Sequence, residues 1–297
     1  MEIAGVTITH PERVVFPQLG ITKAMLAEYF VAVAPLMLPH IVDRPLSLVR
    51  CPQGEGTPCF YQKHWTTKLP SGLGVVDIRD DNDAPGPYVF VRDARGLVAL
   101  VQYGVLELHT WGARADNVNA PDRIVFDLDP APDVAWSAVM ATARRVRRLL
   151  ATCGLESWLK TSGGKGLHVL VPVARRVCWN DVRDFSRLVS AQLVEANPDG
   201  LVDVATKAAR PGKIYIDYLR NARGATAVAP WSSRARNGAT VSVPVKWKDA
   251  GALSSGNALS ISAARQFINR LRSDPWADML KCTQRLSVAA MRSLMRH

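Results

Sequence analysis

The spacing of apolar and polar positions changes several times along this chain, and each change marks an element. Residues 22–38 (TKAMLAEYFVAVAPLML) place Leu26, Tyr29, Phe30 and Val33 on one helical face, with Thr22 as the N-cap. PLSLVR (45–50) predicts a strand and is followed by a Gly/Pro-rich loop. LVALVQYGVLEL (97–108) is apolar enough for a buried helix, ending at HTWG. Turn residues crowd 80–87 (DDNDAPGP) and break the first region, and the polar stretch 113–122 separates it from a more regular centre.

The central region predicts a strand at 123–129, a helix from 134 to 151 stopped by Gly154, and a strand at 156–160. A glycine loop (SGGKG), a strand at 167–173, a helix at 180–195 capped by Asn180 and a strand at 213–219 follow. This β-α-β-β-α-β order is that of the split βαβ, or ferredoxin/RRM-like, unit. Beyond it lie a loop and strand in APWSSRARNGATVSVPV (229–245), a helix at 260–272 and a basic, helical final segment. The expected class is α+β, a single domain with submodules 1–120 (an N-terminal α/β module), 121–220 (the RRM-like unit) and 221–297.

Alternation along the predicted strands has a chemical consequence. In RIVFDLDP, Val125, Asp127 and Asp129 share one face while Ile124, Phe126 and Leu128 share the other. On the strand at 213–219, Ile214, Ile216 and Tyr218 pack inward and Asp217 points out; on that at 167–173, Leu167, Val169 and Val171 pack inward and His168 points out. The unit's 4-1-3-2 strand order makes these strands neighbours, so three carboxylates and a histidine meet on the open face. Carboxylates that close repel unless a cation lies between them, and three hard oxygen donors suit Mg²⁺ or Mn²⁺. The plainer alternatives are that Asp129-Pro130 ends a strand and that Asp217 pairs with Arg220.

TSGGKGLH (161–168) offers backbone N–H groups and Lys165 to a phosphate, although it lacks the Walker A spacing and also reads as a tight hairpin. Beside a carboxylate site it becomes a triphosphate cradle with Ser162 and His168, and Arg234 either covers the same phosphates or is a plain surface residue. His109, after the apolar stretch, reads as a capping or packing residue on its own. Phe60 and Tyr61 read as core or as a base-stacking pair.

Charge and cysteines narrow the partners. Among 297 residues, 37 Lys and Arg against 26 Asp and Glu give a net charge of +11, more than a small-metabolite enzyme needs and expected of a protein that grips a polyphosphate. Arginines cluster in ATARRVRRLL and at Arg220, Arg223, Arg234 and Arg236. The five cysteines show no metal-ligand spacing and predict reduced thiols. The expected location is the cytoplasm, with no membrane-spanning run and no signal layout at the N-terminus.

Taken in order, FDLDP (126–130), TSGGKGLH (161–168), IDYLRN (216–221) and APWSSRAR (229–236), with PERVVFP, ITKAMLAEYF, FYQKH and LELHTWGARAD, resemble the polymerase domain of bacterial ligase D. This is the archaeo-eukaryotic primase type of polymerase used in non-homologous end joining. The resemblance covers nearly the whole chain. It implies that Asp127, Asp129 and Asp217 hold two divalent ions, manganese often favoured, with His109 beside them. It implies that Ser162, Lys165, His168 and Arg234, with Arg220, contact the nucleotide, a ribo- or deoxynucleoside triphosphate. Phe60 and Tyr61, with Lys63 beside them, would meet the DNA, and Arg13 and Lys23 would grip the 5′-phosphate of a downstream strand at gapped or broken ends. Ku and a DNA ligase, fused or separate, are the implied partners. Arg13 stands where some members have lysine, and Tyr61 where some have phenylalanine. No K-x-D-G adenylation motif or phosphoesterase module is seen, so an excised domain or a stand-alone polymerase is expected.

Two other classes compete. A haloacid-dehalogenase-type phosphatase also uses D-x-D after a strand, but Pro130-Ala131 follows here where that chemistry wants Thr or Val. A non-catalytic DNA-end-binding module would have no use for three apposed aspartates.

Overall fold

The computed structural model describes residues 1–80, 83–287 and 294. In chain order the elements are β1 (Glu2–Ile3), β2 (Val6–Thr7), β3 (Val14–Phe16), β4 (Ile21–Thr22), α1 (Lys23–Ile41), β5 (Leu46–Arg50), β6 (Phe60–Gln62), β7 (Leu73–Asp80), β8 (Asp83–Val91), α2 (Ala94–Gln102) and β9 (Val105–Trp111). They continue with β10 (Arg123–Pro130), α3 (Trp136–Thr152), β11 (Trp158–Thr161), β12 (Leu167–Pro172), α4 (Trp179–Glu195), β13 (Leu201–Val202), β14 (Ile214–Asp217), β15 (Thr226–Val228), β16 (Pro244–Val245) and α5 (Ile261–Arg270). Two compact units result. The first comprises 1–116, 226–243 and 259–274; the second comprises 117–225, 244–258 and 275–297. The stretch 221–297, grouped as one submodule from the sequence, is divided between them.

In the first unit a four-stranded sheet, β15-β9-β5-β6, is joined by α1, α2, α5 and the β7–β8 hairpin. Thr22 caps α1 as expected, accepting from the Met25 N–H. Leu26, Tyr29, Phe30 and Val33 are fully buried. By length and hydropathy α1 could cross a bilayer, but it is a core helix here, and the Tyr29 hydroxyl donates to the Trp231 carbonyl.

Several expectations are corrected in this unit. The apolar run 97–108 is not one helix. Gly104, at φ +78°, ends α2 in the left-handed region, and VLELHTW becomes strand β9. His109 therefore lies within a strand. Residues 83–87 extend β8 rather than breaking the chain, because β7 and β8 pair across them; residues 81 and 82 lie outside the described set. Cys51 and Cys59 form a disulfide, against the expectation of reduced thiols; Cys153, Cys178 and Cys282 are not in disulfides. Gly54 and Gly56, both at positive φ, fold the intervening loop back until the two Cα atoms stand 4.4 Å apart, a reversal that cysteine spacing does not show.

In the second unit the sheet order is β13-β14-β10-β12-β11-β16, so its four central strands follow the predicted 4-1-3-2 order. Ile124, Phe126 and Leu128 stand opposite Val171, Val169 and Leu167 and form the apolar face on which α3 and α4 pack. Helix α4 starts one residue earlier than expected. Cys178 is its N-cap, and Asp181 rather than Asn180 completes the cap by accepting from the Cys178 N–H at 2.8 Å. The fourth strand is shorter than predicted: it ends at Asp217, and Tyr218 enters a 3₁₀ turn (Tyr218–Asn221) instead of packing inward. The helical final segment expected beyond 272 is not formed over 273–287, which hold one 3₁₀ turn, Met279–Lys281, and no α-helix; 288–293 and 295–297 lie outside the described residues.

Candidate active site

The second unit aligns its charged residues by strand register. Asp127 stands directly opposite Asp217 on one side and His168 on the other, and His168 stands opposite Lys160. One row thus crosses four strands as Asp217, Asp127, His168 and Lys160, on the sheet face away from α3 and α4. Asp129 is opposite Tyr215, next along the same face.

Apposed carboxylates repel, and the structure offsets this with cations. The Nε of Arg220 lies 3.2 Å from an Asp127 oxygen and 3.1 Å from an Asp217 oxygen. Arg210 Nη1 lies 3.3 Å from Asp129, and its guanidinium stacks 3.9 Å from the Tyr215 ring centroid. Burial favours the neutral acid at Asp127, but His168, Arg220 and Lys160 outweigh it and hold the carboxyl well below the usual carboxylate range. Burial raises Asp129 and Asp217, and the Asp127 charge adds to both, against Arg210 and Arg220 respectively.

Burial, reinforced by Lys160, pushes the His168 imidazole down to about 4 despite Asp127. It is neutral at neutral pH, leaving Arg220 and Lys160 to keep Asp127 ionised. Its Nε2 is 3.3 Å from Asp127 Oδ1, so the tautomer that fits carries the proton on Nε2. Nδ1 is buried with no hydrogen-bond partner among the described residues.

Among the described residues no three His, Cys, Asp or Glu side chains stand close enough to enclose a metal ion. The position between Asp127 and Asp217 is taken by Arg220, the pairing with Asp217 that the sequence offered as the plainer alternative. The donor set still suits a hard divalent cation: its oxygens come from apposed carboxylates that already share a positive charge.

The glycine loop borders this row. The Ser162 hydroxyl accepts from the Gly164 and Gly166 N–H groups, both at 3.1 Å, and so holds the loop closed. Gly163 sits at φ +66°. A Cβ on Gly166 would collide with the Leu128 carbonyl oxygen and with Pro130 on the aspartate-bearing strand. Gly166→Ala is therefore expected to cost about 3 kcal/mol in chemical denaturation, as an overpacked backbone contact does. A loss below about 1 kcal/mol would show that the loop moves freely against β10. Lys165 is exposed and lines a cavity of about 460 Å³ with Asp129, Asp133, Lys207 and Arg210.

The first unit holds the remaining predicted residues. Glu107, buried on β9, bonds His109 Nε2 at 2.6 Å, lies 2.8 Å from Arg234 Nε and accepts from the Ala235 N–H at 2.9 Å. Burial alone would raise the Glu107 carboxyl, but His109 and Arg234 hold it at about 2. Tyr61 meets the His109 ring edge-on at 5.5 Å and shares a hydrogen bond with Thr226. Phe60 and Tyr61 are about half exposed, and Lys63 directly follows their strand. Arg13 and Lys23 line a cavity of about 260 Å³ with Arg50, Gln102 and Thr9. Lys23 Nζ donates to Gln102 at 2.7 Å and to the Thr9 carbonyl at 3.1 Å; burial and then Arg13 lower its pKa.

Glu107, Lys160, Arg210 and Arg50 escape the sequence reading. Glu107 sits two residues before His109, so reading 105–111 as a strand would have put both on one face. Lys160 was reachable by extending the row one strand further. Arg210 lies in a loop with no periodic signal.

Apposed carboxylates on the open face of a split-βαβ sheet, beside a glycine-rich loop, are an arrangement that suits nucleotidyl transfer. Residues 22–276 match the family described as LigD, primase-polymerase domain. The chain is 42% identical over 294 residues to the multifunctional non-homologous end joining protein LigD of Pseudomonas aeruginosa, covering 99% of this chain and 35% of that protein. It is 33% identical over 246 residues to the Mycolicibacterium smegmatis protein of the same description, covering 82% of this chain and 32% of that protein. The structure of the polymerase domain from Mycobacterium tuberculosis ligase D in complex with DNA superimposes with a TM-score of 0.86 at 31% identity, covering 94% of this chain and 99% of that one. This chain belongs to the LigD primase-polymerase domain family of nucleotidyltransferases, and it spans about a third of the length of the curated relatives it matches.

Proposed function

We propose that the chain is a template-dependent polymerase that adds ribo- or deoxynucleotides to primer 3′ ends at gaps and double-strand breaks in bacterial non-homologous end joining. Two divalent ions, Mn²⁺ or Mg²⁺, would be held by Asp127, Asp129 and Asp217, with His109 as a candidate further ligand. The observation that carries this reading is the cross-strand row of Asp217, Asp127 and His168, bridged by a cationic side chain. Bound divalent cations would acidify the primer hydroxyl and neutralise charge on the leaving pyrophosphate.

The chain's own residues do the rest. Arg220 holds Asp127 and Asp217 together as oxygen donors, and those oxygens would serve bound divalent cations in its place. Neutral His168 keeps its Nε2–H on Asp127 Oδ1 and orients that carboxylate. The Ser162 loop and Lys165 bind triphosphate oxygens; Glu107 fixes the His109 ring through Nε2 and orients Arg234 toward anionic ligand oxygens. Phe60 and Tyr61 stack on bases, and Lys63 contacts the backbone. Arg13 and Lys23 take a downstream 5′-phosphate. Ku and a DNA ligase, fused or separate, are the partners this reading implies, in the cytoplasm.

The test is single-gap filling with Mn²⁺, comparing ribonucleotides with deoxynucleotides and downstream strands with a 5′-phosphate or a 5′-hydroxyl. Metal-dependent extension is expected, favoured by the 5′-phosphate, and Lys23→Ala should lose ~10-fold of that preference by removing a charge-assisted hydrogen bond. Intact protein that binds gapped DNA without extending it would defeat the polymerase reading.

A further inference from the structure

The arginine cluster in ATARRVRRLL has no part in the site above. It lies on α3, whose Val139, Thr142, Ala143, Val146 and Leu150 form the buried stripe. Arg144, Arg145, Arg147 and Arg148 are all exposed; Arg144, Arg145 and Arg148 face away from that stripe and Arg147 flanks it, and α3 contains no acidic residue. The following chain extends the charge. Arg147 stacks 5.0 Å over the Trp247 ring, and Trp247 is itself fixed by its indole N–H donating to the Ser157 carbonyl at 2.7 Å. Exposed Lys246 and Lys248 flank Trp247 in the chain. Arg144 reaches the turn at 250–252, its Nη2 3.9 Å from the Cβ position of Gly251. Asp249 is the acidic residue within this segment.

We propose that Arg144, Arg147, Lys246 and Lys248, arranged around Trp247, form a second binding surface for the DNA phosphate backbone, separate from the site on the open sheet face. The cations lie on the helical side of the sheet whose other face carries Asp127 and Asp217, so DNA touching them is not the DNA undergoing chemistry at that row. Guanidinium and ammonium groups in excess on one surface match a polyanion, and spacing by single helical turns suits successive phosphates. The polyanion is taken as duplex DNA flanking the reacting end, which rests on the polymerase reading above.

The test combines Arg144→Gln, Arg147→Gln, Lys246→Gln and Lys248→Gln and measures duplex binding by fluorescence anisotropy across a salt series. For a duplex with long flanks the variant should bind ~10-fold more weakly, and the slope of log affinity against log salt should fall by ~2 or more, near one for each phosphate no longer neutralised. Extension of a minimal gapped substrate at saturating concentration should be unchanged. Because Arg147 also packs on Trp247, the solvent-facing pair Arg145→Glu and Arg148→Glu is made in parallel and should weaken long-duplex binding in the same direction. Variants matching a DNA-binding wild type in affinity and salt slope would overturn this surface alone. Wild-type protein that binds no DNA would overturn the DNA reading of both faces.

Discussion

Asp127→Ala is expected to lower nucleotide addition by on the order of 10³-fold or more while leaving the protein folded and able to bind gapped DNA. Of the carboxylates on this sheet face, Asp127 is the one flanked in the row on both sides, by Asp217 and by His168. It is also the carboxylate whose ionised form the surroundings favour. Removing it takes one oxygen donor set from any cation bound there and frees His168 from its hydrogen bond. The same substitution relieves repulsion on Asp217 and leaves Arg220 paired with Asp217 at 3.1 Å, so the fold is not left with a buried unpaired charge. The melting temperature should move by only a few degrees. Single-turnover primer extension with anisotropy on the same substrate separates the outcomes. A variant that still extends primers at near wild-type rate would remove Asp127 from the chemistry. A wild type that binds but never extends would favour a non-catalytic end-binding module, in which Arg220 is the permanent partner of the aspartates.

The second large effect is expected at Glu107, a residue that supports others. Its carboxylate meets His109, Arg234 and the Ala235 N–H, and its side chain is 7% exposed against 13% for Arg234. Glu107→Ala leaves a largely buried guanidinium without this counter-charge, which costs about 3 kcal/mol or more in denaturant unfolding. Glu107→Gln keeps a carbonyl that can accept from Arg234 or Ala235, so it should lose less stability. It should still raise the apparent KM for nucleotide more than it lowers kcat, because His109 and Arg234 lose their shared orientation. Equal stability of the alanine variant and wild type would show that the three interactions are incidental. A glutamine variant with unchanged kinetics would deny Glu107 its orienting role.

The β-α-β-β-α-β unit, and with it the grouping of Asp127, Asp217 and His168, is legible in the residue pattern alone. The reason is periodicity: strands alternate faces strictly, so once three strands are located and their order follows from the unit, the chemistry on the open face follows too. Thr22 as a cap and the buried face of α1 were legible for the same local reason. Other features depend on residues distant in sequence or on one backbone angle, and the residue pattern does not show them. Gly104 turns an apolar run from helix to strand, which moves His109 into a sheet and beside Glu107. The Gly54 and Gly56 reversal joins Cys51 to Cys59. Arg220 and Arg210 could each have faced solvent or phosphate, and tertiary structure seated them on carboxylates because like charges brought into register need a cation before any ligand arrives. The arginines of α3 were visible as composition. Only the fold decided that they stand on the opposite side of the sheet from the aspartates, because helix packing buries one stripe and turns the other to water.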